Sequence, residues 1–166
     1  MILGEKVLDS SRQCATKPQN VVREKEKEMS ELVRFGVSLE KALLDRFDDL
    51  IREKKYTNRS EALRDLIRRE LVEREWQQGG DVAGAITLIY DHHKRDILSK
   101  VTDTQHAFQE TIISTQHIHL DHHNCLEIIA ARGKAKKVQK LANALRSIKG
   151  VRHATLSMSS TGREIK

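Results

Sequence analysis

The sequence predicts an α+β chain of two small domains, the first with the element order βαα and the second with the order βαββαβ. Residues 32–39 alternate apolar and polar side chains, as a half-buried strand does, and two stretches with helical periodicity follow. Gly79 and Gly80 then interrupt this periodicity, and four further strand-like segments alternate with helix-like ones. A chain of 166 residues is long enough for two such domains.

Composition and charge narrow the class of protein. No apolar run reaches the roughly 18 residues of a membrane-spanning helix, and the opening MILG is too short for a signal peptide. Two cysteines, Cys14 and Cys125, favour a reducing compartment. The net charge of +6 permits an anionic partner without identifying one. We therefore expect a soluble, cytoplasmic protein with no membrane partner.

Residues 1–30 are predicted to form a disordered N-terminal tail. They contain the one proline, Pro18, and end in the charge run REKEKE, without sustained strand or helix periodicity. Met29 offers a second possible start of translation. Two interpretations stay open: an upstream segment that is not translated, or a genuine flexible arm.

Residues 31–75 are predicted to form the first domain. After the strand, a helix from about 40 to 55 carries an apolar stripe that includes Leu43 and Phe47. Asn58, with Glu61 three residues later, has the spacing of a capping box and begins a second helix that ends near Glu75. One strand and two helices cannot satisfy the strand's backbone or bury enough surface alone. The strand is therefore expected to pair with its copy in a second chain.

A two-stranded antiparallel ribbon of this kind fits the major groove of double-stranded DNA. Its outward side chains would be Arg34, Gly36 and Ser38, facing the base edges. Ser38 has an alternative interpretation as the cap of the first helix. The segments RxGxSL and NRSEALRDLIR resemble the ribbon-helix-helix DNA-binding proteins, which makes operator DNA the expected partner. Gly36 stands where relatives often have a polar side chain, so base recognition there is expected to be weak or through DNA shape.

Residues 76–81, WQQGGD, are predicted to be a linker, residues 82–160 the second domain and residues 161–166 a C-terminal tail. The order βαββαβ predicts a four-stranded sheet with both helices on one face, the ferredoxin-like arrangement of ACT-type ligand-sensing domains. The predicted elements are strands at 82–90, 111–120, 125–130 and 151–158, and helices at 94–108 and 135–148.

Residues 106–125 hold five of the eight histidines and Cys125. Strand alternation puts His117 and His119 on one face, and the turn DHHN brings the chain back to Cys125. Two imidazoles and a thiolate on rigid strands favour a first-row transition metal (Zn, Cu, Ni or Co) over Mg or Ca. His106, at the end of a helix, need not reach this metal within its own chain and could reach a neighbour's.

The remaining histidines of this stretch, His122 and His123, are accounted for as solvated turn residues. A catalytic metal would need a general base near an open ligand position, for which Asp121 or Glu127 could be nominated. No pocket motif accompanies them, so we expect neither an enzyme nor a small-molecule substrate.

The two-domain order, together with QHIHLDHHNC, resembles the NikR family of nickel-responsive transcriptional repressors over residues 31–160. The resemblance implies a homotetramer, a dimer of DNA-binding dimers, with one Ni²⁺ per chain. It implies a planar ligand set of His117, His119 and Cys125 from one chain and His106 from another. It also implies repression of nickel-uptake genes.

The same resemblance implies supporting residues. Gln105 and Glu127 would orient the imidazoles. Glu61 and Asp65 would hold a cation such as K⁺ between the domains, although a helix cap and a solvated helix face explain them equally well. The alternative function is a ribbon-helix-helix repressor or antitoxin with a structural site or a different metal, because residue types alone do not distinguish nickel from copper.

Overall fold

The computed structural model describes residues 32–163 and residue 165. The predictions for the tail at 1–30, for Cys14 and for Met29 lie outside the described residues. No described helix is long and apolar enough to span a membrane. In chain order the elements are α1 (Lys41–Glu53), α2 (Arg59–Gln77), β1 (Asp81–Tyr90), α3 (Arg95–Ala107), β2 (Ile112–His119), β3 (Cys125–Lys134), α4 (Ala135–Arg146) and β4 (Val151–Ser160).

Residues 32–40 form no strand in the single chain, although their alternating pattern predicts one. Every residue of this segment is exposed, including Phe35 at 68% and Val37 at 59%. A row of exposed apolar side chains on an unpaired backbone is what a strand leaves when its ladder partner belongs to another molecule. Ser38 does not cap α1, whose N-cap residue is Glu40 without a side-chain cap, so the capping interpretation is wrong.

The two N-terminal helices form as their periodicity predicts. The Asn58 side chain accepts a hydrogen bond from the backbone N–H of Glu61 at 2.9 Å and so caps α2. The Glu61 carboxylate pairs with Arg64 instead, so half of the predicted capping box is made. Arg59 donates from Nε and Nη2 to the two oxygens of Asp48, at 2.8 and 2.7 Å, and this bidentate pair joins α2 to α1.

The second domain is a four-stranded antiparallel sheet in the order β2-β3-β1-β4. Alternate residues of the two central strands are buried on one face, where they pack with Ile97 of α3 and Leu141 of α4. This is the predicted ferredoxin-like order with both helices on one side, so the α+β fold class is confirmed. The core residues on the sheet include Val82, Ile86, Leu88, Tyr90, Ile129 and Ala131.

The segment predicted to be a linker lies against the second domain. Trp76, in the last turn of α2, is 8% exposed and donates from Nε1 to the carbonyl of Ser159 at 2.9 Å. Gly84 leaves room for it, since a Cβ there would lie 3.3 Å from the Trp76 ring and 3.0 Å from the Ser157 carbonyl. Gly79 ends the helix with a φ of +76°, a conformation that favours glycine.

Replacing Trp76 with alanine is expected to lower the free energy of unfolding by about 3–5 kcal/mol, because it empties a site in the core. Urea unfolding followed by circular dichroism measures this, since Trp76 is the only tryptophan. The exposed neighbour Gln77 provides the control, and Gln77→Ala should change stability by about 0.5 kcal/mol or less. Equal stabilities for the two variants would show that α2 is not anchored through Trp76.

Candidate metal centre

The β2–β3 hairpin and the end of β1 bring the candidate ligands to one end of the sheet. His119 lies opposite Cys125 in the ladder, and His117 lies opposite Glu127. Tyr90, the last residue of β1, lies opposite Cys125 from the other side. Because directly opposed residues share a face, all five side chains project from the face that carries the helices.

Three donor atoms converge on this face. The Cys125 sulfur lies 3.0 Å from Nδ1 of His92 and 3.3 Å from Nδ1 of His119. One ligand atom from each residue lies within 4.8 Å of the others. Cys125 is fully buried, His92 is half-buried and His119 is exposed. Two imidazole nitrogens and one thiol sulfur so placed fit a first-row transition metal and do not fit Mg or Ca.

His92 has no role in the predicted ligand set, yet its nitrogen is the one nearest to the Cys125 sulfur. It lies two residues after the end of β1, so the pairing of Tyr90 with Cys125 brings it to the site. The register between β1 and β3 is the feature that would have identified His92 as a candidate ligand. That register joins strands far apart in the chain and is not visible in any local pattern.

His117 lies beside the three converging donors without joining them. Its ring centroid is 5.0 Å from that of His119 in an edge-to-face arrangement. Its Nδ1 is 3.4 Å from the Tyr90 hydroxyl and 3.9 Å from a Glu127 carboxylate oxygen. An imidazole held through one nitrogen in this way presents the other to a metal, as metal-binding histidines commonly do.

The buried carboxylate of Glu127 holds neighbouring side chains in place at the base of the site. Glu127 is 4% exposed and accepts hydrogen bonds from the Tyr90 hydroxyl and the Gln105 side-chain amide. Thr115 in turn donates to Gln105 at 3.2 Å. Burial and the hydrogen bond to Glu127 raise the pKa of Tyr90, which therefore stays protonated as a donor. Gln105 and Glu127 thus lie together next to His117, and Tyr90 is a member that the sequence patterns do not reveal.

The pKa shifts of two donors affect metal binding in opposite directions. Partial burial and the neighbouring His93 lower the pKa of His92, so its imidazole is neutral at neutral pH and has a free lone pair. Burial raises the pKa of the Cys125 thiol, with a smaller contribution from Glu127. A metal that binds here must displace the thiol proton, and binding is then accompanied by proton release.

His106 does not join this cluster within its own chain. It is exposed in the last turn of α3, where it borders a surface hollow shared with Lys137 and Lys140. A ligand provided to a neighbouring chain would need such exposure. Its role as a ligand stays a prediction.

The other predicted site residues are placed as follows. Asp65 accepts hydrogen bonds from Tyr56 at 2.5 Å and from Arg69 at 3.3 Å, whereas Glu61 pairs with Arg64 at 2.6 Å. The two carboxylates are thus engaged separately, and the K⁺ site stays a prediction. The candidate DNA-contacting residues Arg34, Gly36 and Ser38 are all exposed.

Comparison with known protein families yields matches to both domains. The ribbon-helix-helix protein family (copG family) matches residues 33–74, and the NikR C-terminal nickel-binding domain matches residues 83–159. A relative from Chlorobium limicola is 62% identical over 134 residues, covering 81% of this chain and 100% of its own. Relatives from Syntrophus aciditrophicus and Pyrococcus furiosus are 60% and 52% identical, each covering 81% of this chain and 98% of their own. All three are named as candidate nickel-responsive regulators.

Proposed function

Because the chain belongs to the family of nickel-responsive regulators, we propose that it binds Ni(II) through its second domain and operator DNA through its first. The family consists of regulators, so the protein is not an enzyme. The observation that carries the proposal is the convergence of Cys125, His119 and His92, with His117 alongside, in a chain that also has a ribbon-helix-helix domain.

The proposed nickel ligands are His117, His119 and Cys125 of one chain and His106 of a neighbour. Three nitrogens and a thiolate in a plane suit Ni(II), whose electron configuration favours square-planar coordination. One Ni²⁺ per chain would then join neighbouring chains in a homotetramer. Glu127 and Gln105 support this ligand set, because their hydrogen bonds fix the side chains that lie next to His117.

The three-donor cluster of the single chain supports a second candidate. His92, His119 and Cys125 form a His₂Cys set, which zinc also uses, with a fourth position left for water or another donor. Under this alternative the protein would be a ribbon-helix-helix repressor or antitoxin with a structural site, or a site for Zn, Cu or Co. The two ligand sets share His119 and Cys125 and differ in whether His92 or the pair His117 and His106 completes the site.

The DNA-binding surface is proposed to be the ribbon formed by residues 32–39 of two chains. The exposed apolar side chains of this segment would pack between the two chains, and Arg34, Gly36 and Ser38 would face the major groove. The protein is proposed to act in the cytoplasm and to repress nickel-uptake genes when nickel is bound. A K⁺ ion at Glu61 and Asp65 would further fix one domain against the other.

Nickel can favour DNA binding only to the extent that it binds the DNA-competent arrangement more tightly than other arrangements. The anchored end of α2 supports such a linkage, because Trp76 connects the helix of the first domain to β4 of the second. A coupling free energy of about 1–3 kcal/mol would tighten operator binding about 5- to 150-fold.

Fluorescence anisotropy tests the proposal with DNA from the upstream region of the protein's own gene and from the nearest nickel-transporter promoter. The protein is titrated at fixed salt with chelator, then with one equivalent per chain of Ni(II), Zn(II) or Cu(II), because phosphate contacts make affinity strongly salt-dependent. We expect Ni(II) to tighten binding well beyond Zn(II). Equal affinity in chelator and in every metal would refute the sensor and favour the structural-site alternative.

A further inference from the structure

Arg152 interrupts the regular pairing of β4 with β1 close to the metal centre. Two consecutive residues of β1, Ile89 and Tyr90, pair with His153 and Val151 of β4. Arg152, between these two, is skipped in the pairing and is the extra residue of a β-bulge. Bulges redirect a side chain and occur often beside functional sites. The same end of β1 pairs with the start of β3, where the proposed thiolate ligand lies.

The exposed Arg152 side chain reaches the turn between β2 and β3. Its guanidinium donates from Nη1 to the side-chain carbonyl of Asn124, the residue directly before Cys125. In the sheet order β2-β3-β1-β4, Arg152 belongs to the far edge strand, which pairs with neither strand of the hairpin. This hydrogen bond therefore crosses the end of β1 and ties the turn to β4.

Asn124 is the residue that fixes the shape of this turn. Its side-chain amide donates to the Asp121 carboxylate at 2.7 Å, and its backbone carbonyl accepts from the N–H of Leu120 at 2.9 Å. Asp121 in return accepts from the backbone N–H of Asn124 at 2.8 Å. The turn joins His119 to Cys125, so its shape sets the distance between two of the proposed nickel ligands.

The backbone that presents Arg152 is itself held in place. Val151 packs against the core of the second domain, and its N–H donates to the carbonyl of Ile148 at 3.1 Å. Gly150 has a φ of +106°, and a Cβ at this position would collide with the side chain of Ile97 in α3. The turn before β4 is therefore closely packed, and Arg152 extends from a rigid support.

We propose that Arg152 is a positioning residue for the metal centre: it holds Asn124 and thereby fixes the spacing of His119 and Cys125 before a metal arrives. This role rests on the function proposed above, in which both side chains bind nickel. Ligands that are already in place lose less freedom on binding. Loss of a residue that orients a metal ligand commonly weakens metal affinity about 10- to 100-fold.

Charge and position predict opposite effects of Arg152 on metal affinity. Arg152 is a cation near a site for a divalent cation, so removal of its charge alone would strengthen metal binding. Removal of a support for the turn weakens metal binding instead. The sign of the change in affinity therefore distinguishes a positioning role from an electrostatic one.

Competition with a chelator of known nickel affinity measures the Kd of the full chain for Ni(II), and sulfur-to-nickel charge-transfer absorption reports that Cys125 is a ligand. Arg152→Ala should raise this Kd about 10- to 100-fold. Arg152→Lys, which keeps the charge and a donor, should recover part of the loss. Arg132→Ala is the matched control, because it removes an exposed arginine at the opposite end of β3, and its Kd should equal that of the unaltered protein.

A double variant tests whether Arg152 acts through Asn124. Asn124→Ala also removes the hydrogen bond from its side chain to Asp121, so it should weaken nickel binding at least as much as Arg152→Ala. Adding Arg152→Ala to Asn124→Ala should then produce no further loss. Losses that multiply in the double variant would overturn the route through Asn124.

Hydrogen exchange of the metal-free protein provides a readout that does not involve nickel. The backbone N–H groups of Leu120 and Asp121 both donate to the Asn124 carbonyl. Peptides that contain these two residues should exchange faster in Arg152→Ala than in the unaltered protein. Peptides from α4 should exchange equally in both proteins, which also shows that the variant is folded. Arg152→Gln, with the same expected direction, replaces Arg152→Ala if the latter does not fold.

The outcomes separate the positioning role from the nickel function on which it rests. Nickel affinity of Arg152→Ala equal to or higher than that of the unaltered protein would overturn the positioning role alone. Absence of charge-transfer absorption when nickel is added to the unaltered protein would overturn the proposed nickel function, and the positioning role with it.

Discussion

Replacing Cys125 with alanine is expected to abolish nickel-dependent operator binding while the metal-free protein stays folded. Cys125 is the only sulfur donor of the site among the described residues, and the Nδ1 atoms of His92 and His119 lie within 3.3 Å of its sulfur. Its loss removes the thiolate that favours a borderline metal and leaves imidazoles alone. In the unaltered protein, Ni(II) is expected to raise DNA affinity about 5- to 150-fold. In Cys125→Ala, Ni(II) should not change DNA affinity. Anisotropy with and without nickel measures this.

The other cysteine of the chain provides the control, since Cys14→Ala also removes one thiol and keeps Cys125. This variant should retain both the sulfur-to-nickel charge-transfer absorption of Cys125 and the gain in operator affinity on adding nickel. A nickel response that persists in Cys125→Ala would show that the metal acts through other residues. Unfolding of Cys125→Ala in chelator would show instead that the side chain is needed for the core.

A metal site shared between two chains can be tested by mixing two variants that each lack one ligand. Neither His106→Ala nor Cys125→Ala alone should bind nickel with the full ligand set. Chains of the two variants, unfolded together and refolded as a mixture, should regain part of the charge-transfer absorption. In a mixed pair one site receives an intact Cys125 from its own chain and an intact His106 from the neighbour. No recovery on mixing would contradict a ligand shared between chains.

Replacing Val37 with aspartate is expected to abolish specific operator binding at every nickel concentration. Val37 is 59% exposed in the single chain and lines an apolar hollow with Leu39, Phe47 and Leu63. If the ribbon forms between two chains, this hollow becomes part of their shared core, where an unpaired carboxylate is costly. Affinity for the operator should fall to that for unrelated DNA, a loss of about 10³-fold or more.

The neighbouring variant Ser38→Ala is the matched control, because Ser38 is predicted to lie on the opposite, DNA-facing side of the strand. It should preserve assembly and lower operator affinity by no more than one lost base contact, about 1–3 kcal/mol, far less than Val37→Asp. The nickel absorption of Val37→Asp should equal that of the unaltered protein, since the second domain is intact. Operator binding by Val37→Asp at unaltered affinity would exclude a ribbon interface through this residue.

Local patterns account for much of the second domain. The period-two alternation of IISTQHIHL places His117 and His119 on one face of β2, and the turn composition of DHHN returns the chain so that Cys125 lies opposite His119. Both features arise from contacts between residues close in the chain. They could therefore be predicted from the sequence, as could the capping of α2 by Asn58.

The residues that local patterns do not reveal depend on contacts between distant segments. His92 and Tyr90 reach the site because β1 lies between β3 and β4, and Trp76 docks on β4 because Gly84 leaves space beside it. His93 meets His122 and His123 only because the same pairing aligns two loops. The sequence by itself determined which elements of the second domain form and which donor atoms are present. Tertiary structure decided which donors converge, because the register of non-adjacent strands is set by packing across the whole sheet.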